Sequence, residues 1–212
     1  MLLFNNQIYG LTKGQYSPTS LRGQKAKSTP FGSLEEPINP ILFALAAGAS
    51  FVARSIDNDA LHLGNILEAA IKHKGTSFVE IMQTCVVFND EAFDHVRDKS
   101  KKEENVLNLR ENEPLLFNGG QKGIGLDTEL LKPIIVDSHD ARVMTHESDK
   151  QFKASLLGSM LWPEFPMPIG IFHRSEKPTY EDLKQHQDEI VKRNAKSTEL
   201  KDLLHGSNTW QV

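Results

Sequence analysis

Two hydrophobic periodicities alternate between residues 39 and 82, and that alternation narrows the possible folds more than any other feature of the chain. Asn39 followed by Pro40 joins a cap residue to a proline suited to a first helical turn. Ile41, Leu42, Leu45 and Ala46 continue at helical spacing, with a stop near Gly48. Phe51 to Ala53 then reads as a short buried strand. From Asp57 to Lys74, apolar residues at Leu61, Leu63, Ile66, Leu67, Ala70 and Ile71 recur with a helical period, closed by Gly75. Phe78 to Met82 is the next strand. Strand, helix, strand in this order implies crossover connections and an α/β fold, a mostly parallel sheet with helices on both faces. Such sheets bind ligands beyond the carboxyl ends of their strands.

The chain has 212 residues, 39% of them hydrophobic, which is enough for one core, so a single domain over 1–212 is expected. Within it, 1–90 reads as core and ligand loop, 91–143 as an irregular excursion, and 144–212 as C-terminal helices and tail. A formal net charge of −4 argues against nucleic-acid binding, which needs a basic surface. No apolar run approaches membrane-spanning length, and Met1-Leu-Leu-Phe4 is too short for a signal peptide's apolar region. A soluble, cytoplasmic chain is expected. One cysteine excludes an internal disulfide framework.

Elsewhere the pattern is less regular. Lys99 to Glu104 is a charge run read as solvated surface. Gly119-Gly120-Gln-Lys-Gly123-Ile-Gly125 has phosphate-loop letters but follows no clear strand and opens no capped helix, so a mobile excursion is the preferred reading. Phe152 to Leu161 reads as an apolar-faced helix. Pro163, Pro166 and Pro168 lead into an extended Ile169, Ile171 and Phe172. Tyr180 to about Arg193 is a charged helix, followed by Leu200, Leu203 and Leu204 at helical spacing and a stop at Gly206. Ser138-His139-Asp140 cannot form a hydrolytic triad from adjacent positions, and no nucleophile elbow is present. His139 and His146 lack metal spacing and read as surface or core histidines.

The chemistry concentrates in the first thirty residues. An apolar strand, Leu2 to Phe4, runs into Asn5-Asn6-Gln-Ile8-Tyr-Gly10-Leu11-Thr12-Lys13-Gly14-Gln15-Tyr-Ser17-Pro-Thr19. Glycines let backbone approach a ligand closely. The asparagine side-chain oxygen suits a hard ion such as magnesium, and Ile8 could add a main-chain carbonyl from the same loop. An ordinary turn between strand and helix, where Asn and Gly are frequent, is the alternative. Cys85 has two readings as well, a small buried core residue or a ligand.

These residues resemble a known family. Asn5-Asn6 looks like the end of the thiamine diphosphate motif, which opens with Gly-Asp-Gly and closes with an asparagine pair. The string from Ile8 to Thr19 resembles the beta subunits of 2-oxoacid:ferredoxin oxidoreductases. Lys27-Ser-Thr-Pro30-Phe-Gly32, Pro37-Ile-Asn-Pro40, Gly48-Ala-Ser-Phe-Val-Ala-Arg54, Pro166-Met-Pro-Ile-Gly170 and Leu203-Leu204-His-Gly206 extend the likeness. The resemblance implies a partial thiamine diphosphate-binding fold in which Asn6 and Ile8 hold Mg²⁺ and Gly10, Leu11, Thr12, Gly14 and Gln15 surround the diphosphate. It places Lys13 toward a phosphate or the substrate carboxylate, as the catalytic residue. Cys85, in Thr84-Cys85-Val-Val-Phe-Asn89, takes the position of one of four ligands to a [4Fe–4S] cluster, although Thr84 stands where the family usually has proline.

The implied activity is oxidative decarboxylation of a 2-oxoacid to an acyl-coenzyme A, with electrons passing to ferredoxin and an alpha subunit as partner. The string Gly-Leu-Thr-Lys-Gly-Gln favours 2-oxoglutarate, with pyruvate or a branched-chain 2-oxoacid as alternatives. A noncatalytic product without cofactor is a further alternative. Because Leu2 to Phe4 reads as an inner strand at the start of the chain, an N-terminal part carrying Gly-Asp-Gly and three cysteines is expected to be missing. On that expectation the isolated chain should be oligomeric or poorly soluble and bind thiamine diphosphate weakly. Size-exclusion chromatography with titration calorimetry checks both, and a monodisperse monomer that binds the cofactor would contradict it.

Overall fold

The computed structural model describes residues 1–195, 199–205 and 210. Met1–Glu176 forms one compact unit and Lys177–Val212 a second. The first unit opens with β1 (Leu2–Asn5), α1 (Pro40–Ala46), β2 (Phe51–Ile56), α2 (Ala60–Lys72) and β3 (Ser77–Met82). Asn39 caps α1 as expected, its side-chain oxygen accepting from Ile41 N and Leu42 N at 3.1 and 3.2 Å. Helix α2 begins at Ala60 rather than near Asp57. Asp59 is its cap, accepting from His62 N at 3.1 Å, while Asp57 is spent on Arg97 at 2.9 Å.

The stretch 91–143 is ordered, which corrects the expected irregular excursion. It holds α3 (Asp94–Arg97), α4 (Lys99–Asn105), β4 (Val106–Leu109), β5 (Leu116–Phe117), β6 (Lys122–Asp127) and β7 (Lys132–Asp137). The charge run becomes α4, a helix with no buried residue. The glycine-rich stretch is a hairpin and neither a phosphate loop nor an excursion. Gly119 and Gly120 make its turn at φ +63° and +79°, and Gly123 and Gly125 lie on β6. A Cβ at Gly123 would lie 2.7 Å from Val143 Cγ2, so the glycine is there for close approach. The unit ends with α5 (Gln151–Gly158) and β8 (Met167–Arg174). In the second unit, α6 (Tyr180–Asn194) starts at a Thr179–Asp182 capping box, and α7 (Leu200–Leu204) follows. The expected stop at Gly206 lies outside the described residues.

The main sheet has the order β1-β3-β2-β8-β4. The pairs β1/β3, β3/β2 and β8/β4 are parallel, and only β2/β8 is antiparallel. Strands β5-β6-β7 form a separate antiparallel sheet. All six residues of β2 are buried, as an inner strand requires. Strand β1, expected among the inner strands, is instead an edge strand next to β3, with Leu2 and Phe4 exposed.

Helices cover both faces. Val52, Phe78 and Phe172 pack with Ile41, Leu45, Ala154 and Leu157 from α1 and α5. Phe51, Ala53, Val79 and Ile81 face Ile66 of α2 on the other side. A third cluster joins Ile56, Met82, Val106 and Ile169 to Phe93 and Val96 of the α3 region. Each large side chain withdrawn from water contributes about 1.5–3 kcal/mol. A helix cap contributes about 1 kcal/mol. The two apolar layers therefore dominate the stability.

His146 is a core histidine, its Nε2 within 2.8 Å of the Ile171 carbonyl oxygen. His95 stacks on Trp162 with ring centroids 4.4 Å apart. Burial pushes His95 down to about 4 and also lowers His62 and His146. A depressed histidine pKa means the unfolded chain takes up the proton first. Stability from the neutral His95 ring is complete above about pH 6.5 and is lost as pH falls toward about 4, and the other two rings act in the same direction. Denaturant unfolding should thus show lower stability at about pH 5 than at about pH 7.5, and His95→Phe should shrink the difference. A second outcome follows from Gly170, at φ +123°, where a Cβ would lie 2.8 Å from the Leu109 carbonyl oxygen. Gly170→Ala should cost about 2 kcal/mol or more and lower the thermal midpoint by at least about 4 °C in a calorimetric scan.

Candidate functional site

The parallel pairing of β1 with β3 sets Asn5 beside Met82, and Gln83 N donates to the Asn5 carbonyl at 2.9 Å. The loops that follow the two strands therefore leave the sheet at the same carboxyl end. There the turn Cys85–Asn89 is closed by Asn89 N donating to Cys85 O at 2.8 Å and Cys85 N donating to Asn89 O at 3.1 Å. Asn89 Nδ2 then donates to the Asn6 carbonyl at 2.9 Å, tying one loop to the other.

The glycines of the first loop fit this packing. A Cβ on Gly10 would sit 2.9 Å from Cys85 Sγ. One on Gly14, at φ +87°, would sit 2.9 Å from the Phe88 ring. The stretch 9–15 closes on itself through Tyr9 N to Gln15 O at 2.8 Å, Gly14 N to Tyr9 O at 3.1 Å and Lys13 N to Gly10 O at 3.0 Å. Thr12 Oγ1 donates to Gln15 Oε1 at 3.3 Å. Ile8 is buried, whereas Lys13 and Leu11 are exposed, Leu11 almost completely. Lys13 forms no ion pair among the described residues. Asn6, Ile8, the 10–15 turn and Cys85 thus gather in one place, although they come from two segments some seventy residues apart.

Sequence reading missed the residues that hold this loop. Asn5 is buried; its Nδ2 donates to Glu80 Oε1 and its Oδ1 accepts from Thr19 Oγ1, both at 2.7 Å. Oδ1 also accepts from Gln7 N at 3.1 Å. Glu80 is itself buried and receives Arg54 Nε at 2.7 Å on its other oxygen. Arg54 lies over the Phe172 ring, 5.3 Å from its centroid, and reaches Met167 Sδ at 3.0 Å. The overlooked signal was one charge of each sign inside two apolar strands, Phe51-Val-Ala-Arg54 and Phe78-Val-Glu80.

The donor set decides what the site can hold. Asn6 Oδ1, which accepts from Ile8 N at 3.2 Å, and main-chain carbonyls are hard oxygens that fit a magnesium ion. Among the described residues no group of three or more His, Cys, Asp or Glu side chains is placed to hold a metal. The chain has a single cysteine, so on its own it does not fit a four-thiolate cluster.

Residues 1–81 match the family described as thiamine pyrophosphate enzyme, C-terminal TPP binding domain. Over its whole length the chain is 42% identical to the 2-oxoglutarate oxidoreductase subunit KorB of Mycobacterium tuberculosis, of which it spans 58%. The chain is thus similar to the beta subunits of 2-oxoacid:ferredoxin oxidoreductases. The one from Saccharolobus solfataricus is 32% identical over 96% of this chain and 61% of its own length. The solved 2-oxoglutarate:ferredoxin oxidoreductase of Magnetococcus marinus, with 2-oxoglutarate, coenzyme A and succinyl-CoA bound, superposes with a TM-score of 0.70 at 25% identity. That match covers 97% of this chain and 57% of the other. The chain therefore spans a little over half the length of these beta-subunit relatives.

The contact between Gly10 and Cys85 gives a test of the geometry. Gly10→Ala should destabilise the protein by about 1–3 kcal/mol through overpacking. Adding Cys85→Ala should recover much of that loss, because the two positions compete for the same space. Denaturant unfolding of the two single variants and the double measures it; additive effects would contradict the contact.

Proposed function

We propose that this chain is the thiamine diphosphate-holding part of a ferredoxin-dependent 2-oxoacid oxidoreductase that works with an alpha subunit and favours 2-oxoglutarate. The observation that carries the reading is the packing of the Asn6–Gln15 loop onto the Cys85–Asn89 turn at the carboxyl ends of the parallel strands β1 and β3. The preference for 2-oxoglutarate is supported by the names of several relatives, among them that of Mycobacterium tuberculosis.

In this reading Asn6 offers its side-chain oxygen, and Ile8 its carbonyl, to Mg²⁺. Gly10, Leu11, Thr12, Gly14 and Gln15 surround the diphosphate, where main-chain amides and small side chains allow close approach. Lys13, exposed and without an ion-pair partner among the described residues, turns its cation to a phosphate or to the substrate carboxylate. Bound thiamine diphosphate supplies the electron sink for decarboxylation, with CO2, an acyl-coenzyme A and reduced ferredoxin as products. Cys85 contributes one thiolate to a [4Fe–4S] cluster whose other ligands come from outside this chain. Exposed Leu11, Val86 and Val87 surround the site and suit a position against the alpha subunit.

In the assembled enzyme, Asn6→Ala should weaken thiamine diphosphate binding at least about tenfold when Mg²⁺ is present, with the difference vanishing when the metal is chelated. Titration calorimetry reads this, and equal affinities with Mg²⁺ would remove Asn6 from the site. Cys85→Ser should abolish or alter the paramagnetic resonance of the reduced cluster, whereas an unchanged spectrum would make Cys85 a plain packing residue.

A further inference from the structure

We infer that Thr19, Glu80 and Arg54 are positioning residues that act through Asn5 to fix the backbone between Asn6 and Ile8. The inference deepens the proposed function and rests on it for the identity of the ligand, but its structural basis stands apart.

Gln7 lies between the two proposed oxygen donors at φ +56°, a left-handed conformation that a non-glycine residue adopts only when its surroundings impose it. Both of its main-chain groups are held. Its N–H donates to Asn5 Oδ1 at 3.1 Å, and its carbonyl accepts from Ser20 Oγ at 2.5 Å. Ser20 Oγ also accepts from Ser17 N at 2.8 Å, so the segment 17–20 closes over the turn.

The Asn5 carboxamide works only in one orientation. With its oxygen taken by Thr19 Oγ1 and Gln7 N, its amide must face Glu80, and a flip would set its oxygen against a buried carboxylate. Glu80 is held in turn by Arg54 of β2, which is anchored on Met167 and Phe172 of the adjacent β8. The chain of bonds thus runs from the loop at a sheet edge to the strand at the sheet's centre. A buried ion pair costs more to desolvate than an apolar pair of the same shape, so its presence here is better explained by orientation than by stability.

The test uses Thr19, which is half-buried and whose change to valine keeps the side-chain shape while deleting the donor to Asn5. Hydrogen exchange read by mass spectrometry on the cofactor-free chain should show residues 6–15 of Thr19→Val exchanging about fivefold faster than wild type. Exchange in β2 and β3 should be unchanged, and Thr19→Ser, which keeps the hydroxyl, should restore the wild-type rate. In the assembled enzyme the same valine variant should weaken Mg²⁺–thiamine diphosphate binding by a similar factor with kcat at saturating cofactor retained. Faster loop exchange in Thr19→Val, together with no thiamine diphosphate binding by the wild-type assembled enzyme, would support the positioning role and contradict the proposed function. Unchanged exchange across residues 6–15 in Thr19→Val would overturn the inference, as would failure of Thr19→Ser to restore it.

Discussion

The Glu80 carboxylate is the point on which the site depends. It sits inside a sheet whose neighbouring side chains are apolar, where an unpaired charge would be costly by several kcal/mol. Its two oxygens are divided between Arg54 on the next strand and Asn5 at the end of the edge strand. The parallel register of β1 and β3 is what allows this, because it brings the last residue of β1 level with the end of β3. A shift of one residue would turn Asn5 to the opposite face and leave Glu80 with one partner.

From that anchor the loop geometry follows. Asn5 fixes Gln7 in a left-handed conformation, Asn89 braces the Asn6 carbonyl, and Cys85 and Phe88 leave room only for glycine at positions 10 and 14. The oxygens of Asn6 and Ile8 and the exposed Lys13 are therefore presented by a segment whose backbone has few alternatives. A ligand meeting a preorganised loop loses less conformational entropy on binding than one that must order it. The rigidity comes from β3 and its following turn, and the proposed ligand groups lie on the loop after β1.

Most of the frame was legible in the sequence. The Asn39-Pro40 start and the apolar run Phe51–Ala53 announce their elements because capping and continuous burial leave direct marks on residue type. Three things were hidden. The edge position of β1 was hidden because strand order is a tertiary property, and Leu-Leu-Phe reads the same in an inner or an edge strand. The hairpin after β5 was hidden because Gly123 and Gly125 remove the side chains whose alternation would reveal β6. Asn5 was hidden behind Asn6: two identical neighbours on a strand end point to opposite sides, one into the core toward Glu80 and one toward the loop. The glycines at 10 and 14 read as room for a ligand, and nothing local to them announces that Cys85 and Phe88 lie against them.

In the proposed function Asn6 and Ile8 present oxygens to a divalent ion that accompanies thiamine diphosphate. Anomalous diffraction from crystals of the assembled enzyme, with Mn²⁺ substituted for Mg²⁺ and thiamine diphosphate bound, measures this directly. A manganese peak is expected within about 2.3 Å of both Asn6 Oδ1 and the Ile8 carbonyl oxygen. A peak coordinated by neither residue, with the diphosphate bound away from the Gly10–Gln15 turn, would contradict it.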